Sequence, residues 1–355
     1  MVKELPLKKE DIVSVIEGRG AARRVPINYH FWVHPETFGE REPEVRKIFS
    51  EYPEDFQVVT MKIPSVYKNE DNMGEYSWLP FENNEEVAKV GLDNMVAIKE
   101  WDEIDFDNLP LPNIEDINNI YENEKVDDER YLLIHWWFGF FETHWRLRGM
   151  TNALMDFYIY PDKVHKLYNQ FNKHFKRLMD IGVNELNPDG VFISDDIGMQ
   201  SAPFFSDEIF EEFFKPYYKE IIEHAHKNDM HFWLHTCGNI KPFISSFIEI
   251  GLDVLHPIQK HTMLEENIAK LYGDKICIWA GFDVQQKIPW GTNEEVREEV
   301  RFMIDTYYRD SGRLMLTAGN GVNQDCRVDA LEALFNESFN YGSRQMNNRK
   351  EEVVE

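Results

Sequence analysis

Short apolar runs of strand length alternate along this chain with longer segments of helical period. That alternation narrows the folds open to it more than any other feature. Strand-like runs fall at 25–32, 56–63, 131–138, 190–197, 231–238, 254–259, 276–283 and 314–321. Eight such runs, most with room for a helix before the next, predict an α/β fold, a (β/α)8 TIM barrel with an N-terminal elaboration, as one domain over residues 1–355.

The helical segments carry recognisable ends. Pro161 opens a helix over 161–181, with Gly182 as its expected left-handed stop. Ser206, followed by two acidic residues, opens one over 206–229, which Pro216 should kink or restart. Thr292 and Glu295 form a capping box for a helix ending near Gly312. Residues 68–124 break the alternation; they are acidic and polar, and are read as an insertion over one end of the barrel. The tail 347–355 is expected to fray.

Charge excludes one class of partner. The formal net charge is −26, with 64 acidic residues against 38 basic, whereas phosphate contacts need a basic footprint; no nucleic acid is expected. No run approaches a membrane span, so no membrane partner is expected. The opening MVKELPLKKE is charged and amphipathic, unlike a secretory signal. Three cysteines make no disulfide framework, and a cytoplasmic setting is expected to leave them reduced and able to bind metal.

The segment HFWLHTCGNI is the most informative. His235 and Cys237 lie two apart at the end of a strand run, so period-two alternation puts them on one face. Imidazole and thiolate are ligands that zinc prefers. The C-terminal ends of barrel strands are where such folds place their chemistry. Cys326 follows the last strand run, and loops after different strands converge on the same mouth. His235, Cys237 and Cys326 are therefore the candidate zinc ligands. Without a metal, the same three are unrelated polar residues of the core. Cys277, in ICIWAGF, reads as a packing thiol.

Asp195 and Asp196 close the run GVFISDDIG. They are the candidate catalytic residues: a fourth ligand, a substrate contact, an anchor for a ligand, or a turn cap. Trp32, His34, Trp137, Phe141, Gln259 and Asn320 sit at the ends of strand runs or just after them and are the candidate substrate-binding residues. Taken singly, each reads more simply as core packing. His135, His231 and His256 lie within runs and read as core histidines.

Several stretches resemble the uroporphyrinogen decarboxylase superfamily, and within it the corrinoid-linked zinc methyltransferases. They are RVPIN at 24–28, RLRGMTNALMDFYIYPDKV at 146–164, ISDDIGMQSAPFFSDEIFEEFFKPYYKEII at 193–222, LHTCGNI at 234–240 and the Cys326 loop. The resemblance runs from about Arg24 to Phe335 and is most specific over 193–240. It implies a (β/α)8 barrel with zinc on His235, Cys237 and Cys326. The decarboxylases of the superfamily carry an Arg-Gln-Ala-Gly-Arg stretch that grips substrate carboxylates. Here INYHFWVHPE stands in its place without an arginine, which argues against uroporphyrinogen as substrate.

The resemblance implies methyl transfer in one of two directions. An O-demethylase would take methyl from a small aromatic methyl ether to the Co(I) corrinoid (cobalamin) carried by a partner protein. The other direction moves methyl from the corrinoid to a thiol. The aromatic content favours the first. A metal-independent decarboxylase or lyase, and a non-catalytic barrel binding an aromatic ligand, remain as alternatives. A homodimer is an open expectation.

Overall fold

Among the described residues the apolar runs become seven parallel strands in the computed structural model. They are β1 (Phe56–Thr60), β2 (Tyr131–Trp136), β3 (Gly190–Ser194), β4 (His231–His235), β5 (Val254–His256), β6 (Cys277–Phe282) and β7 (Leu314–Ala318). The structure describes residues 5–52, 54–63, 97–106, 109, 111, 112, 121, 126 and 129–352. The strands pair in chain order in one sheet. Every pairing is parallel, with Thr60 opposite His135, Ser194 opposite His235, and His235 opposite His256. β2, β3, β5, β6 and β7 are buried along their whole length, as runs such as YLLIHW require of a sheet covered on both faces.

Ring contacts show that this sheet curls strongly. In a flat sheet β1 and β4 would stand roughly 14 Å apart. Instead Phe56 of β1 lies 5.2 Å from Trp233 of β4 and 5.4 Å from Trp279 of β6, and the two tryptophans are 5.4 Å apart. Large aromatic side chains thus fill the space inside the curl, as in a packed barrel.

The run predicted at 25–32 contributes one bridge rather than a strand, Ile27 to Leu316 of β7. The amide of Asn28 donates to the Leu316 carbonyl at 3.0 Å, while Asp55 N donates to the Ile27 carbonyl at 3.2 Å. This short stave therefore lies between β7 and the chain leading into β1. Side chains fix it where a ladder does not. The Arg24 guanidinium forks onto both oxygens of buried Asp55, which also accept from Leu7 N and Ile27 N. Asn28 Oδ1 then accepts from Phe31 N at 3.2 Å and turns the chain out of the stave.

Most strands begin where the sequence places them, yet nearly all end two or three residues sooner. Beyond the last rung, backbone N–H groups are taken by rim side chains: Cys237 N by Asp196, Gly238 N by Gln259, and Phe141 N and Glu142 N by Asp195. The long helix runs Pro161–Leu186 and stops at left-handed Asn187 rather than at Gly182. Gly182 lies inside it, where a Cβ would meet Ile134 Cδ1 at 2.4 Å, so this glycine serves close helix–strand packing. Ser206 caps the next helix as expected, and a π turn, Phe210–Phe214, absorbs the disturbance ahead of Pro216. Thr292 and Glu295 form the capping box, and the helix they open ends at Tyr307, short of Gly312.

Most of the insertion predicted at 68–124 lies outside the described residues. Of the described part, Trp101 Nε1 donates to Asp156 at 3.0 Å, and Arg148 donates to the carbonyls of Ile98 and Lys99. The final helix, Val328–Glu352, continues into the tail expected to fray, and 353–355 lie outside the described residues. Among the described residues no helix is long and apolar enough to cross a membrane.

Candidate metal centre

The ends of β3 and β4 build the site. Their register continues past the last rung, where Asp195 N donates to the His235 carbonyl at 2.9 Å. Beyond it the two loops cross in backbone contact. A Cβ on Gly198 would lie 2.7 Å from the Cys237 carbonyl oxygen, and one on Gly238, at φ +84°, would lie 2.2 Å from the carbonyl carbon of Gly198. Only glycine fits both sides of that crossing. It holds Asp196 against the Cys237 amide, which donates to Oδ1 at 2.7 Å.

Three donor atoms converge there. Oxygen of Asp196, nitrogen of His235 and sulfur of Cys237 all lie within 4.8 Å of one another. His235 Nε2 is 3.4 Å from Cys237 Sγ and 3.5 Å from Asp196 Oδ1. A tetrahedral zinc with bonds of about 2.0–2.3 Å has ligand–ligand edges of about 3.3–3.8 Å. The O, N, S donor set and its spacing fit that ion and leave a fourth position.

A second imidazole decides which nitrogen of His235 faces this point. His256 Nε2 lies 3.1 Å from the Ala318 carbonyl, which can only accept, so Nε2 carries the hydrogen and Nδ1 is the acceptor. His235 Nδ1, 2.7 Å from that Nδ1, must then be the donor. The lone pair of His235 is left on Nε2, facing Cys237 and Asp196. Burial holds both imidazoles below the usual histidine range, His256 the further because it also faces His235. Both are neutral near pH 7, as a ligand and its support must be.

The charges ask for a cation. Burial, then the nearby Asp196 and Glu142 carboxyls, push the Cys237 thiol up. Burial pushes Glu142 up to about 8, with Arg146 opposing and Asp196 and Asp195 adding. A divalent ion would offset the desolvation that disfavours the charged forms of these groups, and would favour the thiolate.

Cys326 is not among the donors that gather. It is 4% exposed in the loop after β7, where its carbonyl accepts from Arg41 at 3.2 Å. The same loop does reach the site, since Asn320 Nδ2 lies 4.0 Å from Cys237 Sγ. Asp195 turns both oxygens elsewhere. They accept from Phe141 N, Glu142 N and Tyr218 Oη, anchoring the first turn of the helix Phe140–Arg148. Burial still raises its carboxyl to about 6.

Trp32 stacks on His256 at 4.8 Å and lies 5.5 Å from the His235 ring. Trp137, 42% exposed, stands edge-on to His235 at 6.4 Å. Gln259 Oε1 holds Gly238 N at 2.6 Å. Phe141 is buried among Phe157, Phe204, Phe205 and Phe214 instead of facing the rim. His34 is exposed and lies 3.7 Å from Glu36. A shallow open cleft adjoins Cys237, lined by Gln259, Lys260, Asp283, Gln285 and Asn320.

Sequence reasoning missed Glu142 and the role of His256. Glu142 accepts from Ser194 Oγ at 2.9 Å and Arg146 Nη2 at 3.0 Å. Its signal was an acid inside the aromatic run FGFFETHW, directly after a strand. For His256 the signal was a strand-end imidazole one strand over from His235.

Among solved structures, a methyltransferase from Methanosarcina mazei is 16% identical with a TM-score of 0.49, over 61% of this chain and 60% of that one. A dihydropteroate synthase from Anaplasma phagocytophilum is 19% identical with a TM-score of 0.31, over 44% and 61%. An endo-β-1,4-xylanase from Gloeophyllum trabeum is 8% identical with a TM-score of 0.37, over 58% and 76%. The matches thus span about three fifths of the first two proteins, and at these scores none bears on function. No curated protein matches the chain. The family model for uroporphyrinogen decarboxylase (URO-D) matches residues 123–341, from just ahead of β2 into the last helix, and on that match over more than half of its length the chain belongs to the URO-D family.

Proposed function

We propose that this chain is a zinc-dependent methyltransferase. It moves a methyl group from a methoxylated arene to the Co(I) corrinoid of a partner protein. The C–O bond breaks, the oxygen keeps the electron pair, and the phenolate takes a proton. The observation that carries this reading is the gathering of Asp196, His235 and Cys237 at zinc-ligand spacing. When bound, the zinc supplies a Lewis acid for the departing oxygen. His235 presents Nε2 and Cys237 its sulfur; His256 fixes the His235 tautomer. Glu142, whose carboxyl burial pushes up to about 8, is the candidate proton source for the departing phenolate. Cys326 is proposed as a further ligand, carried in by the loop after β7. The corrinoid protein docks at the rim formed by the strand C-termini.

A second reading keeps the zinc and reverses the direction, with a thiol as methyl acceptor. The polar lining of the cleft beside Cys237 favours it, since Gln259, Lys260, Asp283 and Asn320 suit a polar acceptor better than an arene. The test is methyl transfer from 2-methoxyphenol to a reduced corrinoid protein, read from the cobalt absorbance, with wild type and Cys237→Ser. Wild type is expected to turn over, and the variant to lose about a hundredfold or more. No transfer from any methoxyarene, with transfer from methylcobalamin to a thiol, overturns the first reading for the second.

A further inference from the structure

His135, in β2, is wholly buried. Its Nδ1 lies 2.9 Å from the Phe192 carbonyl, which can only accept. Nδ1 therefore carries the hydrogen, and Nε2 is left a bare acceptor. Among the described residues that Nε2 has no hydrogen-bond partner, and buried polar atoms are rarely left so. A second unpartnered atom, the donor Nε1 of Trp32, lies in the same aromatic cluster. Both rings touch Phe31, Trp137 and Phe192. The cluster thus holds one unused acceptor and one unused donor among aromatic faces.

Trp137 sits at the centre of this arrangement. It stacks on Phe31 at 5.6 Å and 19°, meets His135 edge-on at 4.3 Å, and reaches His235 at 6.4 Å. It is 42% exposed where Trp32 is 2% exposed, so it is a ring at the surface that covers the buried pair. Its place is one that already accommodates a flat aromatic group. The Trp137 ring bridges β2 and the end of β4, 4.3 Å from the His135 ring and 6.4 Å from the His235 ring. One substituted benzene ring spans the same gap.

We propose that His135 is a specificity-determining residue that accepts the hydroxyl hydrogen of a hydroxylated arene, whose ring takes the slot Trp137 fills in this structure. Trp137 swings outward to admit it. Phe31 supplies the stacking face, and Trp32 Nε1–H donates to an oxygen of the same ligand. The ring then lies between His135 and His235, with the hydroxyl at one end and the ether oxygen toward the metal ligands. Phenolic methyl ethers are thereby favoured over fully methylated ones. This rests on the methoxyarene reading above, but its test measures binding and not methyl transfer.

The experiment is titration calorimetry of the full chain with 4-methoxyphenol and with 1,4-dimethoxybenzene, which differ by one hydroxyl donor and carry their oxygens at opposite ends of the ring. Wild type is expected to bind the phenol about tenfold more tightly, the worth of one buried hydrogen bond. His135→Phe keeps a ring in the cluster and removes the acceptor, so the two affinities should become equal. Trp137→Ala should tighten both ligands several-fold and keep the preference. A preference that survives in His135→Phe overturns the assignment, as does a wild type that does not discriminate. Should His135→Phe not fold, Trp137→Ala decides, and unchanged or weaker binding there overturns it. If the preference follows His135 while no methyl reaches any corrinoid, the methyltransferase reading fails and the role of His135 stands.

Discussion

The side chain of His256 is not among the donors at the candidate metal position, yet it determines what His235 can offer there. Its Nδ1 acceptor, set by the Ala318 carbonyl, forces the His235 proton onto Nδ1 and the lone pair onto Nε2. His256→Phe keeps the stacking on Trp32 and removes that constraint. Zinc affinity should fall by roughly 10–100-fold, with the fold retained, as read by competition with a chromophoric chelator. An unchanged affinity would mean that His235 needs no such support. Two apart on a strand end, His235 and Cys237 were legible as neighbours from spacing alone. Asp196 was legible as a candidate fourth ligand but not told apart from Asp195, because a loop crossing beyond the strands decides which of the two comes in. Glu142 and His256 carried weaker signals, since an acid or imidazole in an apolar run reads first as a packed residue.

Strands and helices were legible where local chemistry sets them, and less so where they hand over to the rim. β1, β2, β3, β4, β5 and β7 start where their apolar runs start. Their ends are set by long-range partners such as Asp196 and Gln259, which periodicity does not encode. The stave around Ile27 is held by the buried Arg24–Asp55 pair rather than by a ladder, so a strand pattern overstates it. At the crossing of the β3 and β4 loops, Gly238→Ala would add both a backbone clash and positive-φ strain. A loss of on the order of 1–3 kcal/mol is expected, together with weaker zinc binding, measured by denaturant midpoint and chelator competition. The loop after β7 gives the matching expectation for Cys326. Zinc-edge X-ray absorption should show two sulfurs, from Cys237 and Cys326. One sulfur with only N/O neighbours would leave Asp196 as the third protein ligand and Cys326 as a packing thiol.

At the scale of the whole molecule, burial of histidines couples stability to acid. His174, in the helix Pro161–Leu186, is 7% exposed, and burial lowers its imidazole to about 4. The unfolded chain takes up that proton near pH 6.5, so between about 6.5 and 4 the unfolded state binds more protons than the folded one. Stability therefore falls as pH falls through that window, by about 1.4 kcal/mol per pH unit for one such group. His174→Phe should flatten the slope by that amount in urea midpoints at several pH values. An unchanged slope would show that the imidazole titrates normally in the folded protein. The net charge of −26 also acts at this scale, for it disfavours polyanionic partners and favours a bound cation. The central claim is that such a cation is a zinc held on His235 and Cys237. Elemental analysis of purified wild type and Cys237→Ser, each offered zinc and then desalted, tests it most directly. Near one zinc per wild-type chain and a clear loss in a folded variant is the expected result. No retained zinc in wild type, or equal zinc in both, would contradict it.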